Sequence, residues 1–137
     1  MGKLGAAHRR ATIALKEPRE ALVKSISSHS LPAKGETLHV TCAFSSDALY
    51  MKEGLRALRE STSETDLHIV FFAGGVVMVA LSPHLGANHP DVVSFVEARG
   101  GGGRGRMGGF RFPQPIALEQ YSQRRETLLK DLKEFWR

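Results

Sequence analysis

The residues best suited to chemistry stand together in one stretch, Arg99-Gly-Gly-Gly-Gly-Arg-Gly-Arg-Met-Gly-Gly-Phe-Arg-Phe112. It holds seven glycines and four arginines in fourteen residues, and no acid. Glycine has no Cβ, so its N–H groups can approach a ligand closely. Arginine adds planar, bidentate charge matched to phosphate oxygens. Gly101, Gly102, Gly103, Arg104, Arg106 and Arg111 are therefore the candidate phosphate-binding set. Three forms of the stretch are open: a folded binding loop, a disordered arginine/glycine tract of the kind that binds RNA without a fold, or a tight crossover where glycine permits close packing. Nucleotide-triphosphate and dinucleotide loops are excluded. The stretch lacks a Gly-Lys-Ser/Thr ending and follows a helical pattern where those motifs follow a strand.

Other chemistry is thinly represented. His8, His29, His39, His68, His84 and His89 make no i, i+3 or i, i+4 pair, and with one cysteine no zinc spacing exists. His84 and His89 flank one loop without a further ligand nearby in sequence; His39 and His68 fall on strands, where local bonding or solvent explains them. Cys42 lies on the apolar side of a strand, as a core thiol does. No nucleophile with a base can be named. The sequence thus leads to the expectation of a non-catalytic protein with no metal or cofactor.

Charge is spread unevenly over a total of +5. Residues 1–34 carry seven Lys/Arg, residues 35–99 eight acids, and the glycine stretch is basic again. Basic arm, mildly acidic body and basic loop suit a phosphate-backbone binder, with Arg9, Arg10, Lys16 and Arg19 as a second contact. The longest apolar run, Ile69 to Leu81, is broken by Gly74-Gly75, so no membrane span is expected. No apolar segment follows the early basic residues, so no secretory signal is expected. The single cysteine suits a reducing compartment, cytoplasmic or mitochondrial.

These residues need a scaffold, and the pattern supplies one. Residues 20–27 run helically, and Ser27-Ser-His-Ser30 with Pro32 loosens the chain. Thr37 to Phe44 alternates, with Leu38, Val40, Cys42 and Phe44 on one face. Ser46 or Asp47 starts a helix to about Glu60, in which Gly54 implies close packing on a sheet. Residues 66–73 and 76–82 are apolar strands joined by Gly74-Gly75 in a central hairpin covered on both faces. Pro90 opens a short helix to Arg99. After the glycine stretch, Pro113 and Pro115 bend the chain into a helix over 116–137. Its stripe runs through Leu118, Tyr121, Arg125, Leu128, Leu132 and Phe135, with Phe135 and Trp136 as anchors for a protein partner. The fold class is α+β: a small mixed sheet with a central hairpin, helices packed on it, a glycine-rich loop and a long C-terminal helix. It divides into a basic arm or helix (1–34), an α+β body (35–112) and the terminal helix (113–137).

The hairpin Leu67-His-Ile-Val-Phe-Phe-Ala-Gly-Gly-Val-Val-Met-Val-Ala-Leu-Ser82, leading through a short helix into Gly101-Gly-Gly-Arg-Gly-Arg-Met107, resembles the DHH-associated domain, best known as the globular C-terminal domain of alanyl-tRNA synthetases. Gly101, Gly102, Gly103, Arg104 and Met107 match its motif, and the likeness covers about residues 37–112. The chain departs from the family at Gly108-Gly-Phe-Arg-Phe112, and Arg106 stands where the family is neutral or acidic. The synthetase's catalytic and editing domains and the DHH phosphoesterase motifs are missing from it. The resemblance therefore implies a stand-alone binding module stripped of catalysis, with structured RNA (tRNA or rRNA) as partner; a structural place in an organellar ribosome is one alternative. Docking of a protein through the terminal helix is the other alternative.

Overall fold

A computed structural model describes residues 16–85 and 89–137; Arg9, Arg10 and His8 lie outside the described residues. Residues 16–24 are helical (α1). There follow β1 (Ser27–Ala33), β2 (Glu36–Ser45), α2 (Met51–Ser61), β3 (Leu67–Phe72), β4 (Val76–Leu81), α3 (Val92–Glu97), β5 (Gly102–Arg104), β6 (Met107–Arg111) and α4 (Leu118–Phe135). The strands form one sheet in the order β1-β2-β3-β4-β6-β5. Only β2 and β3 pair in parallel, because α2 carries the chain back between them; the other pairs are antiparallel. The α+β class and mixed sheet are as the sequence implies.

The period-2 pattern decides which side each layer covers. Leu38, Val40 and Cys42 of β2, Leu67, Ile69 and Phe71 of β3, and Val77, Val79 and Leu81 of β4 face α3 and α4. Phe110 of β6 joins them, so this core runs from β1 to β6 and leaves out the edge strand β5. Burial pushes the Cys42 thiol up to about 12, so it is a neutral core group. Ala43, Val70, Phe72 and Ala80 face the other way, onto Leu22 of α1 and Leu55 and Leu58 of α2. A Cβ on Gly54 would lie 2.7 Å from the Phe72 ring, so glycine is what lets α2 sit close to the sheet.

Several elements differ from the sequence pattern. β1 forms where a loosened chain is expected, as an edge strand that tolerates Pro32 and contributes Leu31 and Ala33 to the core. Arm, body and terminal helix therefore share one core. α2 starts at Met51; Asp47 does not cap it but accepts a bond from the Gly74 N–H at 2.9 Å. That turn spans three residues, Ala73 to Gly75, because the Ala73 N–H leaves the hairpin to donate to the Ser45 carbonyl at 2.9 Å. Val76 and Met78 are only half-buried, so the hairpin is not fully covered on both faces. Among the described residues no helix is long and apolar enough to cross a membrane.

Candidate phosphate-binding cleft

The glycine stretch is neither a loop nor a disordered tract. It is a hairpin, β5–β6, at the edge of the sheet. Arg104 pairs with Met107, leaving Gly105-Arg106 as a two-residue turn. Gly105 has φ +62 and Arg106 has no positive φ, as in a type II′ turn, which needs glycine first. Neither strand has the β-branched residues that ordinarily favour pairing. Close packing takes their place: a Cβ on Gly108 would meet Val96 of α3 and one on Gly109 the Met78 sulfur of β4, while within the hairpin a Cβ on Gly101 would meet the Gly109 carbonyl and one on Gly103 the Met107 carbonyl and Gly108 backbone.

Gly102 is the exception. A Cβ there would have nothing within 4 Å, and its φ is not positive. The fold does not require glycine at this position, and the residue is exposed.

Residues paired across antiparallel strands point to the same face. On the α2 side this gives three rows: Val76 with Arg111; Met78 with Gly109 and Gly102; and Ala80 with Met107 and Arg104. The helices cover these rows only in part beyond Ala80: Val76 and Met78 pack at the margin of the α2-side core and stay half-buried. The rows border an open cleft of about 670 Å³, lined by Met51, Val76, Met78, Met107, Arg104 and Arg111 together with the glycines. β5 is the sheet's edge strand, so it also presents backbone N–H groups with no ladder partner on its outer side.

The candidate arginines separate by role. Arg104 and Arg111 are exposed on the cleft, and neither is in an ion pair among the described residues. Arg106 is half-buried and engaged: its Nη1 donates to the Ser82 carbonyl at 3.1 Å, and its own carbonyl accepts the Leu81 N–H at 2.8 Å. It pins the hairpin turn to the end of β4 and lines no part of the cleft. Arg99 pairs with Asp131 and lies over the Phe95 ring at 4.7 Å, tying α3 to α4.

The proposed partner anchors also part company. Trp136 is a core residue, 1% exposed, its indole Nε1–H donating to the Asp91 carbonyl at 3.2 Å. It follows Leu128 and Leu132 at four-residue spacing, which is the sequence signal for its burial. Phe135 is 45% exposed and packs edge-on against Phe95. α4 spends its apolar stripe on the sheet, through Tyr121, Leu128 and Leu132.

Among the described residues the rings of His29, His68, His84 and His89 are in local bonds. The His39 backbone N–H donates to Asp66 Oδ2 at 2.8 Å, and His84 Nε2 meets Asp66 Oδ1 at 2.8 Å. Burial works against ionisation of Asp66, but these bonds outweigh it and hold its carboxyl below the usual range. His89 bonds the Pro90 carbonyl at 2.9 Å. His68 is buried, which rules out the solvent-facing expectation and leaves the local one: its ring Nε2 lies 3.4 Å from Thr62 Oγ1. Burial, then the nearby charges of Arg59 and His84, lowers it to about 4, and its Nδ1 has no partner. No group of three or more His, Cys, Asp or Glu suited to a metal occurs among the described residues.

No protein-family model matches the chain, and no curated protein matches it. Comparison with solved structures finds a likeness of fold. A pGpG-specific phosphodiesterase, PggH from Vibrio cholerae, superposes with a TM-score of 0.54 over 90% of this chain at 12% identity. An uncharacterized protein from Helicobacter pylori G27 aligns over 78% of this chain and 28% of its own, with a TM-score of 0.46 at 15% identity. The chain spans 40% of the phosphodiesterase's length. This likeness is one of fold, and it overturns the expectation of a non-catalytic protein: the scaffold occurs within an enzyme, so the want of a visible nucleophile and base is no evidence against catalysis. No comparison bears on a tRNA, ribosomal or mitochondrial setting.

Proposed function

We propose that the chain binds RNA, or a short nucleotide of the same chemistry, by its phosphodiester groups at the cleft beside the glycine hairpin. The observation that carries this is Gly102. It is the triple-glycine position at which the fold has no use for glycine, it sits between Arg104 and Arg111 on an exposed face, and a phosphate oxygen is what bare backbone between two guanidiniums suits. The fold shared with a phosphodiesterase supports placing this binding in the service of phosphodiester hydrolysis, with the hairpin holding the substrate.

Binding of single-stranded oligoribonucleotides across a salt series tests the reading, with hydrolysis of pGpG as a second readout. Arg104→Ala/Arg111→Ala is expected to flatten the salt slope by up to about 1.4 units, two contacts at about 0.7 each. Gly102→Ala should leave stability within about 0.5 kcal/mol and weaken binding. Unchanged affinity in both variants would sink the proposal.

A further inference from the structure

The cleft beside the hairpin does not end at the sheet. A second cleft of about 590 Å³ continues it along α2, and the two share Met51, Met78 and Met107. Lys52, Arg56 and Arg59 border this second part. Their spacing, i, i+4 and i+7, places them on one stripe of α2. Lys52 and Arg56 are exposed, and none of the three is in an ion pair among the described residues. The only acid among the lining residues, Glu60, is bonded to Arg19 at 2.8 Å.

The groove thus has two basic walls and an apolar floor of thioethers. On the hairpin wall, Arg111 and the Arg104–Met107 pair are four residues apart along the strand direction, about 14 Å. On the helix wall, Lys52 to Arg59 spans about 10 Å. Polarizable methionine sulfur takes a flat aromatic ring well, and the floor between the walls carries no charge.

We infer that α2 supplies a second phosphate subsite, so that the groove takes an unpaired chain of two or more nucleotides with its bases laid on the methionine floor. This rests on the hairpin being the first phosphate subsite. A mononucleotide would reach one wall alone. A duplex keeps its bases stacked inside and could not use the floor.

The test measures affinity for AMP, the dinucleotide pApA, a hexa-adenylate and a duplex of the same length, using wild type, Lys52→Gln/Arg56→Gln and Arg104→Ala/Arg111→Ala. Both altered α2 residues are exposed, so folding is not at risk. Affinity of the wild type should climb from AMP to pApA to hexa-adenylate, with the duplex below the hexamer. The α2 variant should lose about tenfold on the hexamer and under about twofold on AMP. Wild-type hexamer binding by the α2 variant, beside loss in the hairpin variant, would overturn the second subsite and leave the first standing. Undiminished binding by the hairpin variant would instead remove the reading beneath it. A duplex that binds tighter than the hexamer would overturn the unpaired chain.

Discussion

The two halves of the sheet are built for different ends. β2 and β3 lie between helices on both faces, and every residue of β3 is buried. β4, β6 and β5 carry a helical layer on the α3 side and are only partly covered on the α2 side, where Val76 and Met78 stay half-buried and β6 and β5 border the cleft. The covered half is made of branched and aromatic side chains whose burial stabilises the fold. On its α2 side the open half carries mainly glycine, methionine and arginine, residues that leave backbone, soft surface and charge available. Stability and binding therefore draw on different surfaces of one sheet, with β4 contributing Val77, Val79 and Leu81 to the core and Val76 and Met78 to the cleft, and perturbations should separate them.

The largest effect belongs to the covered half and is set by pH. His68 is 5% exposed with an imidazole lowered to about 4. Above the ordinary value of 6.5 the ring is neutral whether the chain is folded or not, and its titration costs nothing. As pH falls from about 6.5 to about 4, the unfolded chain takes up a proton that the folded chain refuses, so stability declines. The loss is on the order of 3 kcal/mol. Urea unfolding at pH 7 and pH 4.5 should show it, and His68→Gln should flatten the dependence. An unflattened profile would mean that this half does not hold its buried ring neutral.

Adjacent glycines sharpen the comparison within the open half. Gly103→Ala drives a Cβ into the Gly108 backbone, which cannot rotate away, and should cost about 1 to 3 kcal/mol. Gly102→Ala meets nothing. Thermal unfolding of the two variants decides the matter: equal losses would show that the hairpin needs both glycines for folding alone, and Gly102 would lose its claim on a ligand.

How far this division was legible depends on what carries each half. The covered half is written in apolar alternation, as at Leu38 to Phe44, and in the runs of β3 and β4. The open half is written in the absence of side chains. Seven glycines signal bare backbone, but they have no β-propensity, and the pairing of β5 with β6 comes from contacts with α3 and β4 that are distant in sequence. β1 hid for a related reason, since an edge strand can be polar and contain proline. Arg106 looked equivalent to Arg104 because its partner, the Ser82 carbonyl, is twenty-four residues away. The basic stripe of α2 was present at helical spacing and could have been found, but its bearing on the cleft needed the sheet register.

The smallest expected effect tests whether the open half is tuned by charge. Glu60 is the acid on the groove, and both it and Arg19 are largely exposed, at 58% and 44%. An exposed pair of this kind contributes well under about 1 kcal/mol to folding, so Glu60→Gln should leave the unfolding midpoint nearly unchanged. It removes the one negative charge from the helix wall and releases Arg19 toward the groove. Affinity for hexa-adenylate at low salt should rise a few-fold, and the gain should shrink as salt screens it over about 10 Å at 0.1 M. A gain that survives high salt would not be electrostatic, and the helix wall would then act through shape. No gain at any salt would place the bound phosphates out of reach of α2, and would confine binding to the glycine hairpin.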